Sequence, residues 1–333
     1  MLKAPNLATG LQTHPGKGVS GKDPRKEPLH LAIGMFDGVH LGHQAVIRQA
    51  IAAAEKEAGH LSAVLTFDPH PSRILYPERA TSLIMPLRQR IEHMLDVGAE
   101  CVFVQPFSLT YSRQKAEDFV PFLMELFPGL KSIHVGENFR FGAGRSGDIN
   151  TLSQGAREYG VVLEARQREV LHDVAISSSR IRAALMEGEI GEVNAMLGYP
   201  YVAEGRILKG KGMGRRIDFP TLNFQWHPEV LPRFGVYLVL LKLAGTERLL
   251  PGVANYGLRP TLEEADEPLM EVHLLQPESI PGAGDRVRIA MIDYLRPEKA
   301  FPSLDDLKQQ ITRDVEAARQ KHQTIDASSI KPF

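Results

Sequence analysis

The segment Gly34-Met35-Phe36-Asp37-Gly38-Val39-His40-Leu41-Gly42-His43 concentrates groups suited to holding a phosphate. Its glycines, Gly34, Gly38 and Gly42, permit a tight turn and a close approach of phosphate to backbone. His40 and His43, three apart where a helix should begin, can point the same way and donate hydrogen bonds to phosphate oxygens. A metal pair is the competing chemistry, but the zinc-protease pattern needs a spacing of four with a Glu between. A purely structural histidine pair would have to fall beside three turn glycines by accident. A second cluster lies far down the chain. Gly205 to Arg216 is glycine-rich and basic, with Gly210, Gly212 and Gly214 at alternate positions, and Asp218-Phe219-Pro220-Thr221-Leu222-Asn223 lies just beyond it. Turns between barrel strands also need glycine, so the loop gains its meaning from the neighbouring Pro-Thr-x-Asn. A Thr hydroxyl and an Asn carbonyl two residues apart on an extended chain face one side. Thr221 and Asn223 are hard oxygen ligands, suited to a Mg²⁺ that bridges ATP phosphates; an ordinary Thr/Asn turn is the alternative.

These clusters need elements to position them. Leu29 to Gly34 reads as a buried strand, followed by the turn and a helix from about Leu41 to Ala58. Ser62 to Phe67, Cys101 to Val104, Ser132 to Val135 and Val161 to Ala165 are further strand-like runs. Helical patterns at Arg88 to Val97 and Gln114 to Phe127 lie between them. Strands alternating with helices predict an open α/β domain with a largely parallel, Rossmann-like sheet and a ligand at the carboxyl ends of its strands. The pattern changes around Leu197-Gly198-Tyr199-Pro200. Beyond it Val202 to Leu208, Val236 to Leu243, Leu249 to Ala254, Met270 to Leu275 and Val287 to Tyr294 read as strands separated by Gly and Pro turns. Few helices intervene, which predicts a small antiparallel β-barrel. A final helix starts at a Ser303 cap, with Leu304, Leu307, Ile311 and Val315 on one face. The domain boundaries expected are a flexible leader over 1–27, an α/β domain over 28–198 and a barrel domain over 199–325.

Composition narrows the partners. The 333 residues carry 39 Lys plus Arg against 40 Asp plus Glu, for a net charge of -1. That balance gives no electrostatic reason to expect nucleic acid or a membrane surface. The single cysteine, Cys101, forms no internal disulfide and no Cys-rich metal site. No run approaches the ~20 apolar residues of a membrane span. A cytoplasmic two-domain protein acting on small molecules is expected.

The motif Gly-x-Phe-Asp-Gly-x-His-x-Gly-His resembles the nucleotide-binding signature of bacterial FAD synthetases, a nucleotidylyltransferase branch. Thr66-Phe67-Asp68-Pro69-His70-Pro71, Val135 to Gly142, Arg145-Ser146-Gly147-Asp148 and Ile176 to Arg182 resemble the family's further motifs, in order. The resemblance implies adenylyl transfer from ATP to FMN, with His40 and His43 serving the α-phosphate and no covalent enzyme intermediate. It implies nucleotide contacts from Gly34, Phe36, Asp37, Gly38, Gly42 and Asn138, and from Ser178, Ser179 and Arg182 for the outgoing phosphates. Ser179 stands where the family usually has Thr. Asp68 and His70 are open between locking their loop and touching flavin, and Arg180 between a surface charge and a contact. The second cluster resembles riboflavin kinase, with Pro251 to Thr261 and Met270 to Leu275 as further matches. There the resemblance makes Glu271 the general base for phosphorylation of riboflavin with MgATP, and Arg296 a nucleotide- or flavin-side residue. Asp218 replaces a usual Gly, and Ala283-Gly284 a usual Tyr-Gly. An adenylyltransferase with a weakened kinase, or a non-catalytic flavin- or nucleotide-binding regulator, are the alternatives.

Overall fold

A computed structural model describes residues 10–16, 23–209, 218–258, 268–276 and 282–324. The chain divides into two compact units, Met1–Ser178 and Ser179–Phe333.

The first unit is built on a six-stranded sheet. Its strands are β1 (Gln12–Pro15), β2 (Leu29–Ile33), β3 (Leu61–Asp68), β4 (Cys101–Pro106), β5 (Leu130–Gly136) and β6 (Val162–Arg166), ordered β1-β4-β3-β2-β5-β6. β2 to β6 run parallel, as the alternation of strands and helices predicts. β1 lies antiparallel on the β4 edge, Gln12 opposite Val104. This part of the expected leader is therefore a strand: its polar residues give no hydrophobic signal, and an edge strand is held by backbone hydrogen bonds. The strand order reverses between β2 and β5, so the loops after these two strands flank the switch point where ligands bind in such sheets.

The helices are α1 (Leu41–Ala54), α2 (Pro71–Leu75), α3 (Leu87–Asp96), α4 (Phe119–Leu126) and α5 (Ile149–Glu158). One sheet face buries Leu31, Ile33, Leu65, Phe103, Ile133 and Val135 with Phe119, Leu123 and Leu152 of α4 and α5. The opposite face is partly polar. There His30 Nδ1 meets Ser132 Oγ at 2.7 Å, His30 Nε2 meets His60 Nδ1 at 3.0 Å, and Ser132 Oγ meets His134 Nε2 at 2.6 Å. Glu57 and Glu164 stand at the ends of this chain, 3.1 Å from His60 and 3.4 Å from His134. Burial pulls the fully enclosed His134 down to about 4, with His30 and Lys56 acting in the same direction, so this imidazole is neutral near pH 7.

A two-stranded ribbon, β7 (Val170–Leu171) and β8 (Val174–Ala175), precedes α6 (Ser178–Glu187) and α7 (Ile190–Leu197). The compact division falls at the start of α6. α7 is tied to the barrel: Asn194 Nδ2 donates to Met291 O at 2.9 Å and Asn194 Oδ1 accepts from Tyr201 N at 2.8 Å.

The second unit contains a closed antiparallel barrel. It is made of β9 (Tyr201–Leu208), β10 (Leu222–Gln225), β11 (Gly235–Leu243), β12 (Leu249–Leu258), β13 (Pro268–Leu274) and β14 (Arg286–Pro297), closing in the order β10-β13-β12-β11-β14-β9. Inward residues such as Ala203, Phe224, Tyr237, Tyr256, Met270, Val272 and Ile289 are fully or nearly fully buried. Closure removes the exposed edges that six short strands would otherwise carry. The last helix, α8 (Leu304–Gln323), is capped by Ser303, whose hydroxyl accepts from Asp306 N. Val315 and Ala318 of α8 cover Val236, Leu238 and Val253 on the outside of the barrel.

Candidate functional site

In the first unit the backbone between β2 and α1 is left-handed at Phe36 (φ 50°), Gly38 (φ 82°) and Val39 (φ 35°). At Gly38 a Cβ would also stand 2.9 Å from Ile84 Cδ1, so conformation and space both demand glycine. Bulky residues at positive φ cost of order 1–3 kcal/mol and persist only where the surroundings over-determine them. The surroundings here do. Met35 O accepts from Thr66 Oγ1 at 3.1 Å and from Arg90 Nη1 at 3.0 Å. The Asp37 carboxylate, 2% exposed, accepts from Ile84 N at 3.1 and 3.2 Å. Asp37 O accepts from Ser178 Oγ at 2.9 Å, and Val39 O from Gln44 Nε2 at 2.9 Å. The Phe36 ring is buried against Gly34, where a Cβ would come within 3.1 Å of it.

That loop delivers the two histidines together. His40 caps α1, its Nδ1 accepting from His43 N at 3.3 Å, and the imidazoles stack with centroids 3.6 Å apart and planes 17° apart. A Cβ at Gly42 would sit 3.2 Å from the His40 ring, so this glycine leaves room for the stack. Burial pulls His40 down to about 4. With Nδ1 accepting and the ring neutral, the proton of His40 resides on Nε2. His40 therefore offers a hydrogen-bond donor rather than a positive charge.

The loops after β3 and β5 border the same end of the sheet. Asp68 Oδ1 accepts from Arg90 Nη2 at 3.1 Å, and His70 caps α2 through Nδ1, which accepts from Ser72 N at 3.1 Å. Both contacts hold the loop in place. Asn138 is exposed in the turn after β5, where Phe139 N donates to Gly136 O at 3.0 Å. Gly142 (φ 73°) lies so close to Ala116 that a Cβ would meet its nitrogen at 2.8 Å. Ser178 opens α6; Ser179 and Arg182 come after it in the second unit, exposed and half-buried. Arg180 there pairs with Glu192 of α7 at 3.1 Å.

In the second unit the strand register builds the site. Asn223 of β10 lies opposite Glu271 of β13, and Glu271 opposite Asn255 of β12. Directly opposed residues on antiparallel strands face one side. The three form a polar row on the outer wall, since their neighbours Phe224, Met270, Val272, Ala254 and Tyr256 fill the interior. Asn223 is 6% exposed and Glu271 half-buried. Thr221 precedes β10 by one residue, on the Asn223 side of the chain. Asn255 Nδ2 donates to Glu298 Oε1 at 3.2 Å. Among the described residues no group of three or more His, Cys, Asp or Glu could by itself hold a metal ion. A Thr-Asn pair of neutral oxygens fits instead an ion that takes most of its ligands from phosphates and water. Gly210, Gly212 and Gly214 lie outside the described residues.

Asp218 has φ 64°, which explains why glycine is usual there; its exposed carboxylate lies 3.5 Å from Lys308 Nζ. Ala283 sits in an exposed turn that joins the end of β9 through Gly284 N donating to Ile207 O at 2.8 Å. Arg296 is engaged with α8, its Nε and Nη2 donating to Asp314 at 2.9 and 2.7 Å, and its guanidinium lies 5.9 Å from the Phe301 ring centre. Asn255 and Arg90 carry no role that the sequence alone assigns. Asn255 is visible inside the Asn-Tyr-Gly stretch, and Arg90 as a charge at a core position beside Ile91 and Met94.

Comparison with known proteins agrees with this two-part layout. Residues 22–180 match the FAD synthetase family and residues 197–322 the riboflavin kinase family. The chain is 35% identical over 295 residues to the bifunctional riboflavin kinase/FMN adenylyltransferase of Escherichia coli K12, covering 89% of this chain and 93% of that one. It is 36% identical over 290 residues to the protein of the same name from Haemophilus influenzae, covering 87% and 92%. A crystal structure described as a macrolide-efflux protein from Streptococcus pneumoniae superposes with a TM-score of 0.79 at 25% identity, covering 90% of this chain and 95% of that one. The efflux in that description is said of that protein only, and among the described residues here no helix is long and apolar enough to cross a membrane. With a FAD synthetase match on the parallel sheet, a riboflavin kinase match on the barrel and full-length relatives that join the two, the chain belongs to the family of bifunctional riboflavin kinase/FMN adenylyltransferases.

Proposed function

We propose that the barrel phosphorylates riboflavin to FMN and that the α/β domain adenylylates FMN to FAD, each using ATP. The observation that carries this reading is the presence of both family matches in one chain, one spanning the glycine loop before α1 and the other the Gly205 to Arg216 stretch. We assign the α/β activity to residues 28–198 and the kinase to 199–325.

In the α/β domain an oxygen of the FMN phosphate bonds to the α-phosphorus of ATP, and the bond from that phosphorus to the bridging oxygen breaks to release pyrophosphate. The enzyme must align two anions and neutralise the charge that builds on the transferred group. His40, proton on Nε2, donates to the α-phosphate, with His43 stacked beside it. Gly34, Gly38 and Gly42 let the phosphates approach the backbone, while Phe36 and Asp37 hold the loop in shape. Asn138, Ser178, Ser179 and Arg182 contribute to the nucleotide and pyrophosphate subsites.

In the barrel Glu271 takes the proton from the terminal ribityl hydroxyl as that oxygen attacks the γ-phosphate and ADP leaves. Asn223 and Asn255 flank Glu271 in the strand register and line the same face of the wall. Thr221 and Asn223 would hold Mg²⁺, which supplies charge neutralisation on the ATP phosphates when bound. Gly210, Gly212 and Gly214 complete the phosphate loop. Arg296, through Asp314, ties β14 to α8 and so keeps that helix on the outer wall at Val236, Leu238 and Val253. The protein works in the cytoplasm on small molecules, with neither nucleic acid nor membrane as partner. Purified protein given riboflavin, ATP and Mg²⁺ should accumulate FMN and then FAD by chromatography; FAD from FMN but nothing from riboflavin would reduce the reading to adenylylation alone. Tight binding of FMN and ATP without turnover would point to a regulator.

A further inference from the structure

Arg90 is among the largest fully buried side chains of the protein, 0% exposed, and it lies on α3, outside the sequence motifs. Taking a guanidinium out of water carries a penalty of several kcal/mol that one ion pair offsets only with good geometry and further hydrogen bonds. The side chain of its carboxylate partner Asp68 is 39% exposed, so the pair is not a sealed core ion pair. A contact to backbone explains the placement better. Nη1 donates to Met35 O at 3.0 Å, inside the loop between β2 and α1, while Nη2 donates to Asp68 Oδ1 at 3.1 Å, where β3 gives way to Pro69. One planar group thus spans the two loops at the carboxyl ends of adjacent strands. Both loops carry residues of the adenylylation motifs.

The neighbourhood serves the same end. Met35 O also accepts from Thr66 Oγ1, and the chain just before α3 holds the Asp37 carboxylate through Ile84 N. The residues 84–90 therefore clamp the left-handed loop at Met35 and at Asp37. The rigid fork of arginine supplies two donors at a fixed separation, which an ammonium does not.

We infer that Arg90 is a positioning residue for adenylyl transfer, fixing the distance between the histidine loop and the Asp68-Pro69-His70 loop and hence the alignment of the two phosphates that must react. This rests on the reading of the α/β domain as an FMN adenylyltransferase. In-line transfer between two bound anions tolerates little misplacement; about 1 Å can cost on the order of 100-fold in rate. A residue acting this way changes turnover more than ground-state binding.

The test uses the full chain, whose riboflavin kinase activity reports in the same tube on the unit that Arg90 does not belong to. Arg90→Lys keeps the charge and loses the fork; Arg90→Met keeps an unbranched apolar stem and loses both donors. Expected are falls in kcat for FAD formation from FMN of at least 10-fold for Arg90→Lys and more for Arg90→Met. KM for ATP should stay within about threefold and riboflavin phosphorylation within twofold. Wild-type kcat in Arg90→Met overturns the proposal. If Arg90→Met fails to fold its α/β unit, Arg90→Lys decides. Wild-type turnover per folded molecule in Arg90→Lys, measured well below its unfolding temperature, would make Arg90 a stability residue only and overturn the proposal. Failure of the unsubstituted chain to convert FMN to FAD would instead refute the function of the domain, and this inference with it.

Discussion

The two proposed sites would reach the same end, the grip on a triphosphate, by different routes. In the α/β domain the key residues sit on a loop with positive φ at Phe36, Gly38 and Val39, and the shape is imposed from outside. Thr66, Ile84, Arg90 and Ser178 each reach in from another segment to hold a backbone or carboxylate oxygen of that loop. In the barrel the key residues Asn223 and Glu271 belong to the strands themselves, and ladder register alone puts them side by side. A loop site needs buried polar braces; a strand site takes its geometry from pairing. The first should be sensitive to remote changes and to acid, the second to changes in the row itself.

The largest expected effect separates the sites outright. Glu271→Ala should lower riboflavin phosphorylation by roughly 10²–10⁴-fold, the range of general-base catalysis, while FAD formation from FMN continues at the wild-type rate. Phosphorylation at undiminished speed would remove Glu271 from the mechanism. On the other side, His40→Ala should reduce FAD formation by about 10²-fold, comparable to losing one preorganised donor to a developing charge, and leave FMN formation intact.

A pH series sharpens the contrast next. Unfolded histidine protonates near 6.5, whereas His40 and His134 in the folded α/β unit are pulled down to about 4 by burial. Below 6.5 the unfolded chain binds more protons than the folded one, so stability falls as pH drops from 6.5 toward 4. The loss is roughly 3 kcal/mol for each of the two groups by linkage. In the barrel the resolved shifts are upward ones of tyrosines, the buried Tyr237 and Tyr256 and the half-buried Tyr294, which matter only in alkali. Trp226 is the single tryptophan and lies buried in the barrel beside Tyr201 and Tyr256. Denaturation at pH 5 followed by tryptophan emission should therefore match that at pH 7, while far-ultraviolet circular dichroism should show an earlier transition from the other unit. Coincident transitions at both pH values would contradict the assignment of acid sensitivity to the α/β unit.

The smallest effect concerns Asp218. Its φ of 64° suits glycine, and Asp218→Gly should relieve local strain of about 0.5–1 kcal/mol, read as a small rise in the melting temperature of the barrel. Kinase activity should persist in both forms, since Lys308 stands by the exposed carboxylate. A kinase rate that rises tenfold or more in Asp218→Gly would show that the carboxylate repels ATP.

Much of this is legible in the chain itself, and the reasons it is or is not are local. Leu29 to Ile33 is apolar almost throughout and reads as a strand buried on both faces, which places the histidine motif at a strand end. Period-two alternation marks β9 and β13, an unbroken apolar run marks β11, and the Ser303 cap marks α8. β1 stays hidden because Gln12–Pro15 carries no apolar period and is held by backbone bonds. α5 escapes notice because only Ile149, Leu152 and Ala156 of its ten residues are apolar; its Gly155 is there for close packing, a Cβ meeting Val120 at 3.0 Å. The turn histidines are visible as types at a spacing, but their stacking and neutrality depend on burial that only the fold supplies. The Asn223–Glu271–Asn255 row is equally invisible in sequence, since it joins residues brought together by strand register.

The most direct test of two independent sites in one chain is complementation in solution. His40→Ala and Glu271→Ala proteins are each given riboflavin, ATP and Mg²⁺, alone and mixed, and FAD is measured by chromatography. The account predicts FMN but almost no FAD from the first, neither product from the second, and FAD from the mixture as FMN released by one is adenylylated by the other. A mixture that makes no FAD, or FAD from either variant alone at the wild-type rate, would contradict it.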